Sequence, residues 1–375
     1  MAAPAKAKGA QKSASKKSNE PNFLQKLNAP SVSISDVAIF SRQFSTMINA
    51  GLPVLQCLSI IADQQVNPTF KSVVNQIKDD IGSGGNLSDS MAKHPKVFDE
   101  LYVNMIRSGE LGGVLDTILE RLSVYMEKAE ALKRKIKSAM MYPVIVISVA
   151  IIVIAFLMVK VIPTFEEVFS SFGAKLPPLT AGLVSTSRFM QHYWWMMAAG
   201  IFGIISAVKA FGRTPKGELI LDSILLKLPV FGDLARKSAV ARFTRTLGTL
   251  LKSGVPILEA LETVAKTSGN KVVEVVINGA RASIREGQGM TEPLKKGDIF
   301  PAMVIQMVSV GEETGKIDEM LMRAADFYEE EVDTAVEGLS AAMEPLIIVF
   351  LGVSIGTIVV AMFMPMFDLG NVVSN

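Results

Sequence analysis

The chain has 375 residues, room for two or three folding units, and 49% of them are hydrophobic, with a mean hydropathy of +0.36. That hydropathy directs attention to membrane spans first, while a net charge of only +2 excludes a chain built to coat nucleic acid. One cysteine, Cys57, and two histidines, His94 and His192, exclude a disulfide framework and a Cys/His zinc cluster.

Residues 1–35 carry Lys6, Lys8, Lys12, Lys16 and Lys17 among Ala, Ser and Pro, with little to bury. This is the composition of a disordered basic tail, and it lacks the apolar stretch of a secretory signal. Over residues 36–139 apolar side chains recur at helical spacing. Ile39, Phe40, Phe44, Met47 and Ile48 mark one face, with Asp36 expected as N-cap and Gly51 just past the C-terminus. Pro53 is expected in the first turn of the next helix, whose inner face carries Leu55, Leu58 and Ile61 with Cys57 as a small buried neighbour. Further helices are expected over residues 68–81, 87–93 and 99–108, and a last one from near Gly113, with Leu115, Ile118, Leu119, Leu122, Tyr125 and Met126 inward. Nothing alternates with period two, so the fold class is all-α, a six-helix bundle with short loops.

Polarity then collapses. Residues 140–162 supply the roughly 20 apolar residues that a transmembrane helix requires. A second span is expected over 192–211, with Tyr193, Trp194 and Trp195 at one end and Lys209 and Arg213 at the other; a third is expected over 343–367. Lys133, Arg134, Lys135 and Lys137 crowd the start of the first span, and Arg213, Lys216, Lys227, Arg236 and Lys237 follow the second. The loop 163–191 offers only Lys175 and Arg188. By the positive-inside rule the helical domain 36–139 and the linker and second domain 212–342 are cytoplasmic, while that loop and residues 368–375 are periplasmic.

The chain repeats itself. Gly51-Leu52-Pro53 returns 203 positions later as Gly254-Val255-Pro256, with Phe40 and Arg42 returning as Phe243 and Arg245. At an offset of 202, Phe98 pairs with Phe300, Gly109 with Gly311, Pro143 with Pro345 and Pro163 with Pro365. Repetition in glycines, prolines and core positions marks a duplicated domain-plus-span unit. The middle span then has a topological role, because it returns the chain to the first side so that both units face the same way.

Motifs that imitate chemistry fail on context. The stretch from Gly311 to Ile317 is one residue short of a phosphate loop, lacks its Ser/Thr and follows no strand. Gly352-Val353-Ser354-Ile355-Gly356 fits a nucleophile elbow but lies inside the third span, where Gly352 and Gly356 read instead as a helix-packing face. No catalytic, cofactor-binding or metal-ligating set emerges. A transporter would need ionisable groups within its spans, and residues 144–159, 193–208 and 345–367 contain none.

Glu110 and Glu312 are expected in equivalent turns before long helices, as helix-dipole partners or as contacts to a cytoplasmic partner or to the sister domain. Glu344 stands at the membrane edge before Pro345. Pro143 and Pro345 each delete a backbone donor where domain meets span, so a break or kink is expected at both, a joint able to pass motion into the membrane. Lys128 and Lys135 in the first copy align with Glu330 and Glu337 in the second, so the two long helices are expected to lie against each other, within a chain or between protomers.

Arg42, Gly51-Leu52-Pro53, Ser108-Gly109-Glu110 with Gly113, Tyr142-Pro143 and Pro163 resemble the type II secretion system F domain. So do Arg245, Gly254-Val255-Pro256, Gly311-Glu312 with Gly315, Glu344-Pro345 and Met364-Pro365-Met366-Phe367, and the Leu228-Pro229-Val230-Phe231-Gly232 stretch. The resemblance runs from about residue 36 to the end. It implies a scaffold without chemistry or cofactor in the bacterial inner membrane, the platform of type IV pilus or type II secretion machines. The partners it implies are a cytoplasmic hexameric assembly or retraction ATPase, pilin subunits, inner-membrane alignment proteins and further copies of the chain.

Overall fold

Ser33 starts the first helix by a reciprocal cap. Its hydroxyl accepts from the Asp36 N–H at 3.1 Å, and the Asp36 carboxylate accepts from the Ser33 N–H at 2.9 Å. Asp36 is therefore the third helical residue rather than the N-cap. The computed structural model describes residues 30–171, 177–229 and 231–373, so the basic tail up to residue 29 lies outside the described residues. Among the described residues there are helices, turns and loops, without a strand.

The first copy comprises α1 (Ile34–Asn49), α2 (Val54–Gln64), α3 (Pro68–Gly82), α4 (Leu87–Ala92), α5 (Glu100–Gly112) and α6 (Leu115–Phe156). Pro53 serves as the N-cap of α2 rather than in its first turn, and Asn67 caps α3 through Oδ1. The duplicate follows as α10 (Phe231–Lys252), α11 (Ile257–Thr267), α12 (Lys271–Arg285), α13 (Thr291–Lys296), α14 (Ala302–Thr314) and α15 (Ile317–Val373). Asn270 caps α12 as Asn67 caps α3. Between the copies lie a π turn (Leu157–Val161), α7 (Ile162–Ser171), α8 (Pro178–Gly212) and α9 (Pro215–Lys227). The segment 163–191 is thus largely helical.

In each copy the first helix packs along the last, α1 on α6 and α10 on α15. Equivalent aromatic pairs sit at the two centres, Phe40 with Phe98 at 5.6 Å and Phe243 with Phe300 at 4.7 Å. The copies do not stay apart. One continuous apolar core runs from Phe40 through Leu122 to Phe243 and Val336. Across it, Asn104 donates to Thr263 Oγ1 at 2.7 Å and Lys266 meets Glu100 at 3.0 Å. Two bundles read separately from the sequence are fused into one body, because the inner faces of α5, α6, α10, α11 and α15 cover one another.

Among the described residues, three helical stretches are long and apolar enough to cross a membrane: Leu115–Phe169, Pro178–Gly212 and Ile317–Pro365. The first and last continue the domain helices directly.

Candidate functional site

A cluster of ion pairs forms where α6, α10 and α15 meet. Arg245, almost fully buried on α10, donates to Glu329 Oε1 at 2.6 Å and Oε2 at 2.8 Å, and to Asp326. Lys128 of α6 reaches the same two acids, at 2.9 Å from Glu329 and 3.3 Å from Asp326. Two turns nearer the membrane, Lys135 lies 3.0 Å from Asp333 and 3.5 Å from Glu337. The two long helices therefore face each other within one chain, and the charge reversal between the copies is what pairs them. Burial raises the Asp326 pKa, but the hydrogen bonds and charge of Arg245, then of Lys128, outweigh it and hold the carboxyl below its ordinary range. A cavity of about 260 Å³ opens beside this seam, lined by Tyr125, Leu132, Arg242, Arg245 and Asp333.

The first copy holds the equivalent ion pair at its surface. Arg42 Nε donates to Glu127 Oε1 at 2.6 Å and Nη2 to Oε2 at 2.5 Å, a two-pronged contact that lowers the Glu127 pKa.

Glu110 and Glu312 are not in turns. Each occupies the last turn of its helix, α5 or α14, and the turn proper is made by Gly113 and Gly315, at φ 67° and 71°. Gly109 and Gly311 are needed for closeness: a Cβ on Gly109 would stand 3.1 Å from Ile118 Cβ, and one on Gly311 would stand 2.8 Å from Ile317 Cα. That tight crossing aims the glutamates at a neighbouring helix. Glu110 accepts from the Leu87 and Ser88 N–H groups at 2.6 and 3.0 Å, closing the N-terminus of α4. Glu312 accepts from the Met290 N–H at 2.5 Å and from the Thr291 hydroxyl, closing α13. A carboxylate at each helix start satisfies donors that would otherwise lack partners and complements the helix dipole.

Pro143 and Pro345 lie inside α6 and α15, which continue helically through both, so the expected break is absent there. Pro143 is buried and Pro345 exposed. The irregularity lies instead before Pro163, at the π turn, where the Ile162 N–H donates to Leu157 O. Pro163 has no N–H to offer Met158 O or Val159 O. Side chains of α8 take both: Ser187 Oγ donates to Met158 O, and Gln191 Nε2 donates to Val159 O at 2.9 Å. In the second copy Pro365 withholds the donor from Ala361 O, and Thr180 Oγ1 of α8 supplies one at 2.5 Å. The unduplicated helix thus completes the hydrogen bonding of both duplicated spans, around a small core of Met158, Ile162, Val184 and Ile358. Gly352 and Gly356 have no neighbour within 4 Å of an added Cβ, and Glu344 is exposed on α15.

The model of the type II secretion system protein F family matches residues 40–163 and 243–365, both copies and two thirds of the chain. The chain belongs to the type II secretion system protein F family. A type IV pilus assembly protein PilC of Myxococcus xanthus is 49% identical over 90% of this chain and 81% of its own. The protein of that name from Pseudomonas aeruginosa is 44% identical over 90% of this chain and 91% of its own. A type II secretion system protein F of Vibrio cholerae is 32% identical over 92% of this chain and 85% of its own. Family membership and three apolar helices make this an integral membrane protein.

Each boundary of the protein F match coincides with a structural feature. It opens at Phe40 and Phe243, the centres of the two aromatic pairs, and closes at Pro163 and Pro365, the prolines whose freed carbonyls α8 satisfies. The sequence reading missed the pairs Arg42–Glu127 and Arg245–Glu329. Their signal was present, since both partners recur at the duplication offsets while neighbouring charges reverse sign. The α8 donors carried no such signal, because α8 has no duplicate.

Proposed function

We propose that this chain is the inner-membrane platform of a type IV pilus machine, coupling a cytoplasmic hexameric ATPase to the insertion of pilin subunits into the filament or their extraction from it. The observation that carries the proposal is mechanical. α6 and α15 are joined by the Lys128 and Lys135 ion pairs, Arg245 ties α10 to the same face of α15, and both long helices continue as helix into the first and third spans. A torque applied to the fused bundles therefore reaches the bilayer along two stiff rods. The pilus assembly relatives, 44–49% identical, support the pilus rather than the secretion setting. Both bundles face the cytoplasm and the C-terminus the periplasm, in keeping with the positive-inside distribution of Lys and Arg.

In this reading the chain performs no chemistry and binds no cofactor; the ATPase supplies the energy. Glu110, Glu312 and Glu344 are candidate contacts to the ATPase or pilin, Pro143 and Pro345 the candidate coupling points, where the two rods pass unbroken from bundle to span, and Gly352 and Gly356 a packing face for another copy of the chain. Inner-membrane alignment proteins complete the assembly. Deleting the gene and scoring surface filaments, twitching and exoenzyme release tests the setting: loss of filaments with secretion intact supports the pilus. Loss of secretion alone favours the type II secretion platform, a setting supported by protein F relatives 32–33% identical. A pull-down of the neighbouring ATPase by the full-length protein tests the coupling, and absence of binding removes it.

A further inference from the structure

Helix α9 begins three residues after α8 ends and is tied to that end. The Thr214 hydroxyl donates to Phe211 O at 2.7 Å and accepts from the Gly217 N–H at 3.1 Å. On one side α9 docks on the second bundle, where the Asp222 carboxylate accepts from the Lys271 N–H at 2.6 Å and closes the start of α12. Two residues earlier on a helix is about 200° around it, so Ile220 points away from that contact. Ile224 and Leu228 continue its row at intervals of four, and Leu225 broadens it; all four are exposed, Ile224 at 52%. Arg213, Lys216 and Lys227 flank the helix in sequence, while Asp222 bonds the bundle and Glu218, one turn before it, acts by its charge on Lys271 of the bundle.

We propose that α9 is an interfacial helix that lies in the headgroup layer of the membrane, with Ile220, Ile224 and Leu228 toward the acyl chains and its cations among anionic lipid headgroups. Two observations select lipid as the occupant. The apolar row begins nine residues after Phe211, itself exposed at the end of the α8 span to which Thr214 ties α9, so one lipid phase covers both. The flanking charge is cationic, as anionic headgroups require. α9 then sets the height of the second bundle above the bilayer, through Asp222. This rests on the three spans and not on the pilus reading, so either can fail without the other.

Single cysteines at Ile224 (Ile224→Cys) and, in a second variant, Ile220 (Ile220→Cys) provide the test in the full-length protein, because Cys57 is fully buried and withheld from label. An environment-sensitive fluorophore is attached, and the protein is reconstituted into phosphatidylethanolamine and phosphatidylglycerol vesicles, with brominated lipid as the bilayer quencher and iodide as the aqueous one. Both α9 labels lose emission to brominated lipid and are shielded from iodide, as is a label at Ile201→Cys in α8. A label at Val66→Cys, on a residue 95% exposed on the first bundle, shows the reverse. Quenching of the α9 labels by iodide would leave the helix in water, and protection from both quenchers would mean that protein, a second copy or another chain, covers it. Either result overturns the proposal.

Discussion

Arg245→Ala removes a guanidinium whose side chain is 8% exposed and strands two acids, Glu329 and Asp326. Removing one partner of a buried pair costs about 3–5 kcal/mol, because the remaining charge is left without compensation. Here the acids are 26% and 63% exposed, and Lys128 remains within 2.9 and 3.3 Å of them, so water and a second cation take up part of the loss. The expected cost is about 2–3 kcal/mol. Arg42→Ala breaks the duplicate pair, whose partners are 42% and 45% exposed, and an exposed pair is worth about 0.2–1 kcal/mol. Thermal midpoints of the full-length protein in detergent, followed by helical circular dichroism, convert at about 2–4 °C per kcal/mol for a unit of this size. The drop is thus about 4–12 °C for Arg245→Ala and at most about 4 °C for Arg42→Ala. The double variant Arg245→Leu with Glu329→Leu recovers most of the loss, since the one acid it leaves, Asp326, is 63% exposed and still paired with Lys128. A midpoint for Arg42→Ala as low as that of Arg245→Ala, or no recovery in the double variant, refutes burial as the cause.

Glu110→Ala opens the start of α4 and costs about 1–3 kcal/mol, read in the same melts; Glu110→Gln, which keeps one acceptor, costs less. If Glu110→Gln nevertheless abolishes ATPase binding while the fold holds, the carboxylate has a partner role beyond the cap. Gln191→Leu leaves Val159 O without its donor and costs on the order of 0.6 kcal/mol, the average for such bonds in membranes. In a Pro163→Ala background, which returns a backbone N–H, the same substitution is neutral; equal losses in both backgrounds would separate Gln191 from the proline. Glu127 and Asp326 titrate below the ordinary carboxylate range in the folded protein. Their stabilisation is complete above the unfolded values near about 4 and is lost as pH falls through the depressed folded ones. The acid limb of the midpoint-against-pH curve flattens in Arg42→Ala and Arg245→Ala, and an unchanged limb would contradict the assignment.

Helical periodicity determined the all-α class, because burial of one helix face leaves a repeating apolar mark; uninterrupted apolar length determined the three spans, and glycines, prolines and core residues recurring at one offset determined the duplication. The elbow glycines were legible for a different reason. Gly113 and Gly315 are held at positive φ, which only glycine adopts without strain. What those elbows accomplish was not legible: Glu110 and Glu312 look like turn residues until the crossing at Gly109 and Gly311 shows them closing helices more than twenty positions upstream. The prolines divide the same way. Sequence marks all four as missing a donor. Only the packed spans decide that the π turn falls at Pro163, and that α8, through Ser187, Gln191 and Thr180, completes what Pro163 and Pro365 leave open. Fusion of the two bundles also belongs to the tertiary structure. The charge reversal at Lys128 and Lys135 marked α6 and α15 as facing helices but was equally compatible with two protomers, and only the fold puts Lys128 against Glu329 of the same chain.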